Sequence, residues 1–168
     1  MKLIYYGKGP FDPSKFKPIK NNPLPDKKPF PPSGLWTSPL NSGWGWKEWN
    51  EVEDYRECKE NFVVELSESA RIFKIDCEAD LANIPIVEVL EIEGVKFNIP
   101  ALRSWGIDFE KLAEDYDAFW LTERGQSETR FSRPFSLYGW YVESVLVFRA
   151  DVLTQISHNQ NPPDEKPD

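Results

Sequence analysis

Histidine, cysteine and methionine are scarce: one, two and one in 168 residues. With His158 alone near the end of the chain, serine and cysteine nucleophiles lack the imidazole base of Ser-His-Asp and Cys-His sites. One histidine with Cys58 and Cys77 does not make a common zinc site, and the acidic residues form no tight metal loop, so no metal is expected. A disulfide scaffold is equally unsupported at this size, and both cysteines read as plain thiols. No apolar run reaches the ~20 residues of a membrane span. The opening MKLIYYGKGPF has no apolar stretch of signal-peptide length. A cytoplasmic monomer without membrane association is expected.

Two glycine motifs are missing as well. There is no GxGxxG after a strand and no GxxxxGK[ST], so Rossmann and P-loop folds have no local support. Positive charge is short: 20 Lys and Arg face 28 Asp and Glu, for a net charge of -8 and a pI of about 4.8. Such a surface repels phosphate backbones, which argues against general nucleic-acid affinity but leaves a local basic patch open. Carboxylate chemistry remains, with or without a small-molecule cofactor.

What is abundant is aromatic and proline. Hydrophobic residues make up 40% and aromatic residues 14%, enough for one domain with a real core. We assign that domain to residues 1–156 and a flexible polar tail to 157–168. Residues 10–39 hold nine of the fifteen prolines. That excludes a regular helix or a central strand there and predicts a surface path, pinned by Phe11, Phe16 and Phe30.

The patterns elsewhere alternate between short strands and a few helices. Strands are expected at 2–6, 61–66, 71–76, 117–122 and 144–150. A hairpin is expected over 87–99, breaking at Glu93-Gly94. Helices are expected at 46–57 after a cap at Ser42, at 78–83, and over 106–116 with Asp108 as cap. Without regular strand-helix alternation the class is α+β.

The stretch SGLWTSPLNSGWGWKEW, residues 33–49, holds four of seven tryptophans: Trp36, Trp44, Trp46 and Trp49. Indoles at helical spacing are good core material. They also make a stacking platform for a flat cationic ring, with Ser38 or Ser42 near enough to hydrogen-bond its substituents. Only one or two of the four are expected to reach a ligand. Glu143, in YVESVLVF, reads either as an exposed strand-edge charge or as a carboxylate at a cleft mouth.

Taken in order, three segments resemble the ADP-ribosyltransferase superfamily. IYYGKGPFDPSKFKPI resembles its opening strand and the loop that follows. SGLWTSP leading into WKEW resembles its glycine-aromatic strand and helix. DYDAFWLTE followed by WYVESVLVFRADVL resembles its closing strands, which carry a catalytic glutamate. KPFPPSGLWTSP is also similar, with an insertion, to a KPxGLWxS signature of small phage and bacterial proteins.

This resemblance covers most of residues 3–156 and implies a split β-sheet core with two or three helices. It implies NAD as substrate, with Gly7 and Trp36 holding the nicotinamide, Trp49 stacking on it, Tyr6 on the ribose and Ser38 adding a hydrogen bond. Glu143 would be catalytic, and the acceptor a protein, a nucleic acid or a small molecule. The chain also departs from the pattern. Tyr6 stands where histidine or arginine is usual, and Lys8 replaces a small hydroxyl residue. Glu143 lies five residues before Phe148 instead of four, leaving Ser144 at the strict position. Those departures point to the alternative, a catalytically inactive binding protein on the same fold. A third reading is an unrelated α+β interaction protein whose aromatics are all core.

Overall fold

A computed structural model describes residues 1–7, 9–22, 28–29, 33–53, 60–89, 91–92, 95–96, 104–133 and 135–159. The architecture is α+β around a seven-stranded sheet. Its strands are β1 (Lys2–Tyr6), β2 (Leu35–Pro39), β3 (Asn61–Leu66), β4 (Ile72–Ile75), β9 (Ala118–Leu121), β10 (Ser144–Val147) and β11 (Leu153–Asn159). The spatial order is β11-β3-β1-β2-β10-β9-β4. All pairs are antiparallel except β4 with β9. Two further pairs lie outside it: β5 (Ile86–Val89) with β8 (Ser104–Ile107), and β6 (Glu91–Ile92) with β7 (Val95–Lys96). The helices are α1 (Trp46–Glu53), α2 (Phe109–Asp115) and α3 (Glu123–Thr129), with a 3-10 turn at Glu78–Asn83.

The register splits the sheet. Strand β1 meets β2 only at Leu3↔Pro39 and Ile4↔Ser38, while β10 meets β2 at Leu35, Trp36 and Thr37. Beyond Ile4, β1 stays with β3 through Tyr6↔Asn61. Tyr5 and Tyr6 therefore part from Leu35 and Trp36, and a gap opens between the two half-sheets. Gly34 makes the entry into β2 possible. Its φ is +68°, and a Cβ there would sit 2.8 Å from Leu146 Cδ1 and 2.9 Å from the Val147 carbonyl, a conformation and a space that favour glycine.

Strand alternation sends side chains to two cores. Trp36, Phe119, Leu121 and Leu146 pack on one face with Trp140, Phe109 and Phe148. Leu3, Leu35, Ala118, Val145 and Val147 pack on the other with Phe62 and Val64. Helix α2 starts where Asp108 accepts from the Lys111 N–H, and it buries Phe109 and Leu112. Helix α3 starts at Thr122 and lies so close to β4 that a Cβ on Gly125 would meet the Ile75 carbonyl at 2.2 Å.

Several expectations are corrected. The proline-rich stretch does contain a central strand, because Pro39 closes β2 at its end, where the missing N–H costs little. Helix α3 was missed, since ERGQSET has no apolar period. Strand β11 was also missed: it is polar and carries a register shift between Gln155 and Ser157. Ser157, His158 and Asn159 pair with β3 rather than fraying; the rest of the expected tail, 160–168, lies outside the described residues. Ser42 does not cap α1. Glu48 Oε2 accepts from the Gly45 N–H at 2.9 Å, and Ser38 Oγ accepts from the Trp46 N–H at 2.9 Å. Lys8, Phe30, Tyr55 and Cys58 also lie outside the described residues.

Candidate functional site

The gap between the half-sheets is closed on its remaining sides by α1 and by the turn that leads into β10. Tyr6, Trp36, Trp46, Trp49, Asn50 and Tyr141 line a hollow of about 350 Å³. An adjoining hollow of about 260 Å³ shares Trp36, Trp46 and Tyr141 and reaches Trp140 and Ser144. A third of about 480 Å³, lined by Phe11, Phe16, Gly34, Leu35 and others, shares Tyr5 and Trp36 with the first. Together they form one aromatic cleft of ligand-binding size.

Helix α1 buries no residue fully, and Val52 is exposed. Its indoles are walls of the cleft, not core. Three of the four clustered tryptophans line it, more than the one or two expected, and Trp44 instead donates its indole N–H to the Tyr141 carbonyl at 3.1 Å. Trp49 stacks on Tyr141 with centroids 5.1 Å apart and planes 14° apart. Trp36 packs against the buried Trp140, centroids 4.7 Å apart. Trp46 Nε1 is buried without a hydrogen-bond partner.

The cleft is polarised. The Tyr6 hydroxyl is pushed up to about 12, first by burial and then by the charges of Glu48 and Glu51. Those carboxylates favour a cationic occupant near Tyr6. At the Tyr141 side, Lys28 Nζ lies 5.5 Å and Arg130 Cζ 5.8 Å from the ring centroid. One end is therefore acidic and the other basic.

Glu143 is placed differently from the expectation. Its side chain is buried. Ser42 Oγ donates to Oε2 at 2.6 Å, and Trp120 Nε1 donates to Oε1 at 2.9 Å. Trp120 pairs with Val145 on the face opposite Trp36. The carboxylate does not line the cleft; its neighbour Ser144 does. So Glu143 is neither an exposed strand-edge charge nor an open cleft-mouth carboxylate. Ser38 joins the two: its buried hydroxyl donates to the Glu143 carbonyl at 2.7 Å while accepting from Trp46.

Of the expected ligand contacts, Tyr6, Trp36 and Trp49 come together. Gly7 and Ser38 do not line the cleft: the Gly7 N–H is given to the Glu60 carbonyl at 3.0 Å, and the Ser38 hydroxyl proton is given to the Glu143 carbonyl. A side chain at Gly7 would meet the Tyr5 ring at 2.4 Å, so that glycine serves packing. Sequence reasoning missed Lys28, Tyr141 and Trp120. Only YGWY just before Glu143 gave a signal for the second. Among the described residues no cluster of His, Cys, Asp and Glu could hold a metal, and no helix is long and apolar enough to cross a membrane. His158 sits in β11 with Nε2 3.8 Å from Glu60 Oε2.

No family model, curated protein or solved structure matches the chain.

Proposed function

We propose that the chain is an ADP-ribosyltransferase-like protein that takes NAD as substrate into the aromatic cleft. The observation that carries this reading is the meeting of Tyr6, Trp36 and Trp49 around one hollow in the split of the sheet. Oxidised nicotinamide is a flat cationic ring. Indole faces bind such a ring with about 2 kcal/mol or more per contact once desolvated, and Glu48 and Glu51 add a favourable field. Tyr6 stays protonated in the working range and offers the ribose a neutral phenol.

Transfer would break the bond between nicotinamide and C1′, with the electron pair leaving on nicotinamide. The acceptor then attacks the oxocarbenium-like sugar at C1′, as in glycoside cleavage, and gives up its proton to water. Glu143 would stabilise that cation and accept from the 2′-hydroxyl. To do so its carboxylate must turn from Trp120, which holds it away from the cleft, toward the ribose. A second reading, a binding protein that holds NAD without cleaving it, is favoured by that same hydrogen bond, which turns the carboxylate away from the cleft.

Calorimetry with NAD tests the shared part. Trp36→Ala and Trp49→Ala are expected to weaken binding; absence of NAD binding by the parent sinks both readings. Nicotinamide release then separates them. Release with added acceptor supports transfer, and binding without release supports the second reading.

A further inference from the structure

The turn between α3 and β10 carries an unusual surface. Phe131 is 73% and Tyr138 53% exposed, among the most exposed large hydrophobics in the described chain. Their rings form a tilted pair with centroids 5.8 Å apart. Arg130 Cζ lies 5.6 Å from the Phe131 centroid and 5.8 Å from that of Tyr138. Arg133, two residues after Phe131, is exposed, and neither arginine has a carboxylate at ion-pair distance among the described residues.

This is a built platform. Ser132 Oγ donates to the Thr129 carbonyl at 3.0 Å, the Leu137 N–H donates to the same carbonyl at 2.9 Å, and Trp140 N–H donates to the Leu137 carbonyl at 3.0 Å. Leu137 and Trp140 are anchored in the core. Two aromatics are thus held out in water by a segment that buries Leu137, Trp140 and Val142. An exposed aromatic pair on a fixed frame marks a binding surface.

We propose that this platform binds single-stranded nucleic acid, bases stacking on Phe131 and Tyr138 and phosphates meeting Arg130 and Arg133. Every base offers a π-face to such a surface, and arginine beside it supplies the charge. The chain as a whole carries -8, so a polyanion gains no general attraction and depends on a local basic corner such as this one. Arg130 also lies over Tyr141, a wall of the aromatic cleft, so a strand here ends at the mouth of the proposed NAD site. The strand's role as acceptor rests on the functional reading above; its binding does not.

The test is fluorescence anisotropy of a labelled oligothymidylate at low salt, without NAD. The parent is expected to bind, and to bind a duplex of equal length more weakly. Phe131→Ala and Tyr138→Ala, both at exposed positions, are each expected to weaken binding about tenfold. Arg133→Gln is expected to lower the slope of log affinity against log salt by ~0.7. No binding at low salt overturns the proposal, as do parent-like affinity in both alanine variants or equal affinity for the duplex. So does displacement of the strand by polyglutamate, which would mark a site for an acidic protein. A strand that binds while NAD does not leaves this proposal standing and the functional reading fallen; the reverse result does the opposite.

Discussion

Replacing Glu143 should separate its structural role from its chemical one. The carboxylate accepts from Ser42 Oγ and Trp120 Nε1, and hydrogen bonds to a charged group contribute about 1.5–3 kcal/mol each. In Glu143→Gln the amide oxygen can keep Trp120, whose N–H only donates. The amide NH₂ then meets Ser42, whose hydroxyl can turn to accept. Both partners stay satisfied and only the charge reinforcement goes, a loss of about 1–2 kcal/mol. In Glu143→Ala both donors lose their partner and a cavity opens, a loss of about 3–5 kcal/mol. At roughly 2–4 °C per kcal/mol for a chain of this size, the glutamine variant should melt about 2–8 °C lower and the alanine variant well below it. Trp120→Phe should cost about as much as one lost bond, and its effect should not add to that of Glu143→Gln. If the protein cleaves NAD, the glutamine variant should keep its NAD affinity while turnover falls about 10²- to 10³-fold. A Glu143→Ala protein that melts with the parent, or strict additivity with Trp120→Phe, would refute the arrangement.

Other consequences are open to direct measurement. Trp140→Ala, in the core, should cost about 3–5 kcal/mol in urea unfolding, whereas Trp49→Ala should cost less and act mainly on ligand affinity; equal stability losses would contradict the division. Gly34→Ala should destabilise by about 1–3 kcal/mol, since the position combines positive φ with contacts below 3 Å; an unchanged urea midpoint would show that β2 can enter another way. For Asp117, burial alone would raise the carboxyl, but hydrogen bonds from Arg71 and the charges of Arg71 and Arg149 hold it below its ordinary value. Its stabilising contribution is therefore complete above about pH 4 and is lost as pH falls through the lower folded value. Asp117→Asn should flatten that part of the acid-unfolding curve, and an unaltered curve would count against the assignment.

Elements with their own periodicity could be read from the chain. Asn61–Leu66 alternates and Asp108 caps α2; of the hairpin expected over 87–99, β6 and β7 do pair, but β5 pairs with β8 instead. Strand β2 could not be read from local pattern, because Pro39 and the proline-rich run before it speak against a strand; the resemblance alone implied a strand there, and its pairing with β1 and β10 places it in the centre. Strand β11 is held by the edge of β3 rather than by its own polar residues. For the site, the tryptophan cluster did mark the cleft. The sequence could not show that α1 leaves its indoles half-buried, nor that Trp120, on another strand, would claim the Glu143 carboxylate. Both depend on contacts between separate segments: Trp120 and Glu143 are 23 residues apart, and Ser42, which shares the carboxylate, is 101 residues from it, and no local pattern encodes such pairs.

The split register has a mechanical consequence. Because β1 grips β2 at residues 38 and 39 and β10 grips it at residues 35 to 37, the two half-sheets meet along one strand, like two boards on a single hinge pin. On the sheet side, the width of the aromatic cleft then follows from the twist of β2; α1 and the turn before β10 set its other walls. Strands tolerate a broad range of twist, so the opening can adjust to an occupant while every ladder on either side stays intact. Ser38, tied at once to the Glu143 backbone and to the start of α1, sits on that pin, where such a rotation moves it least.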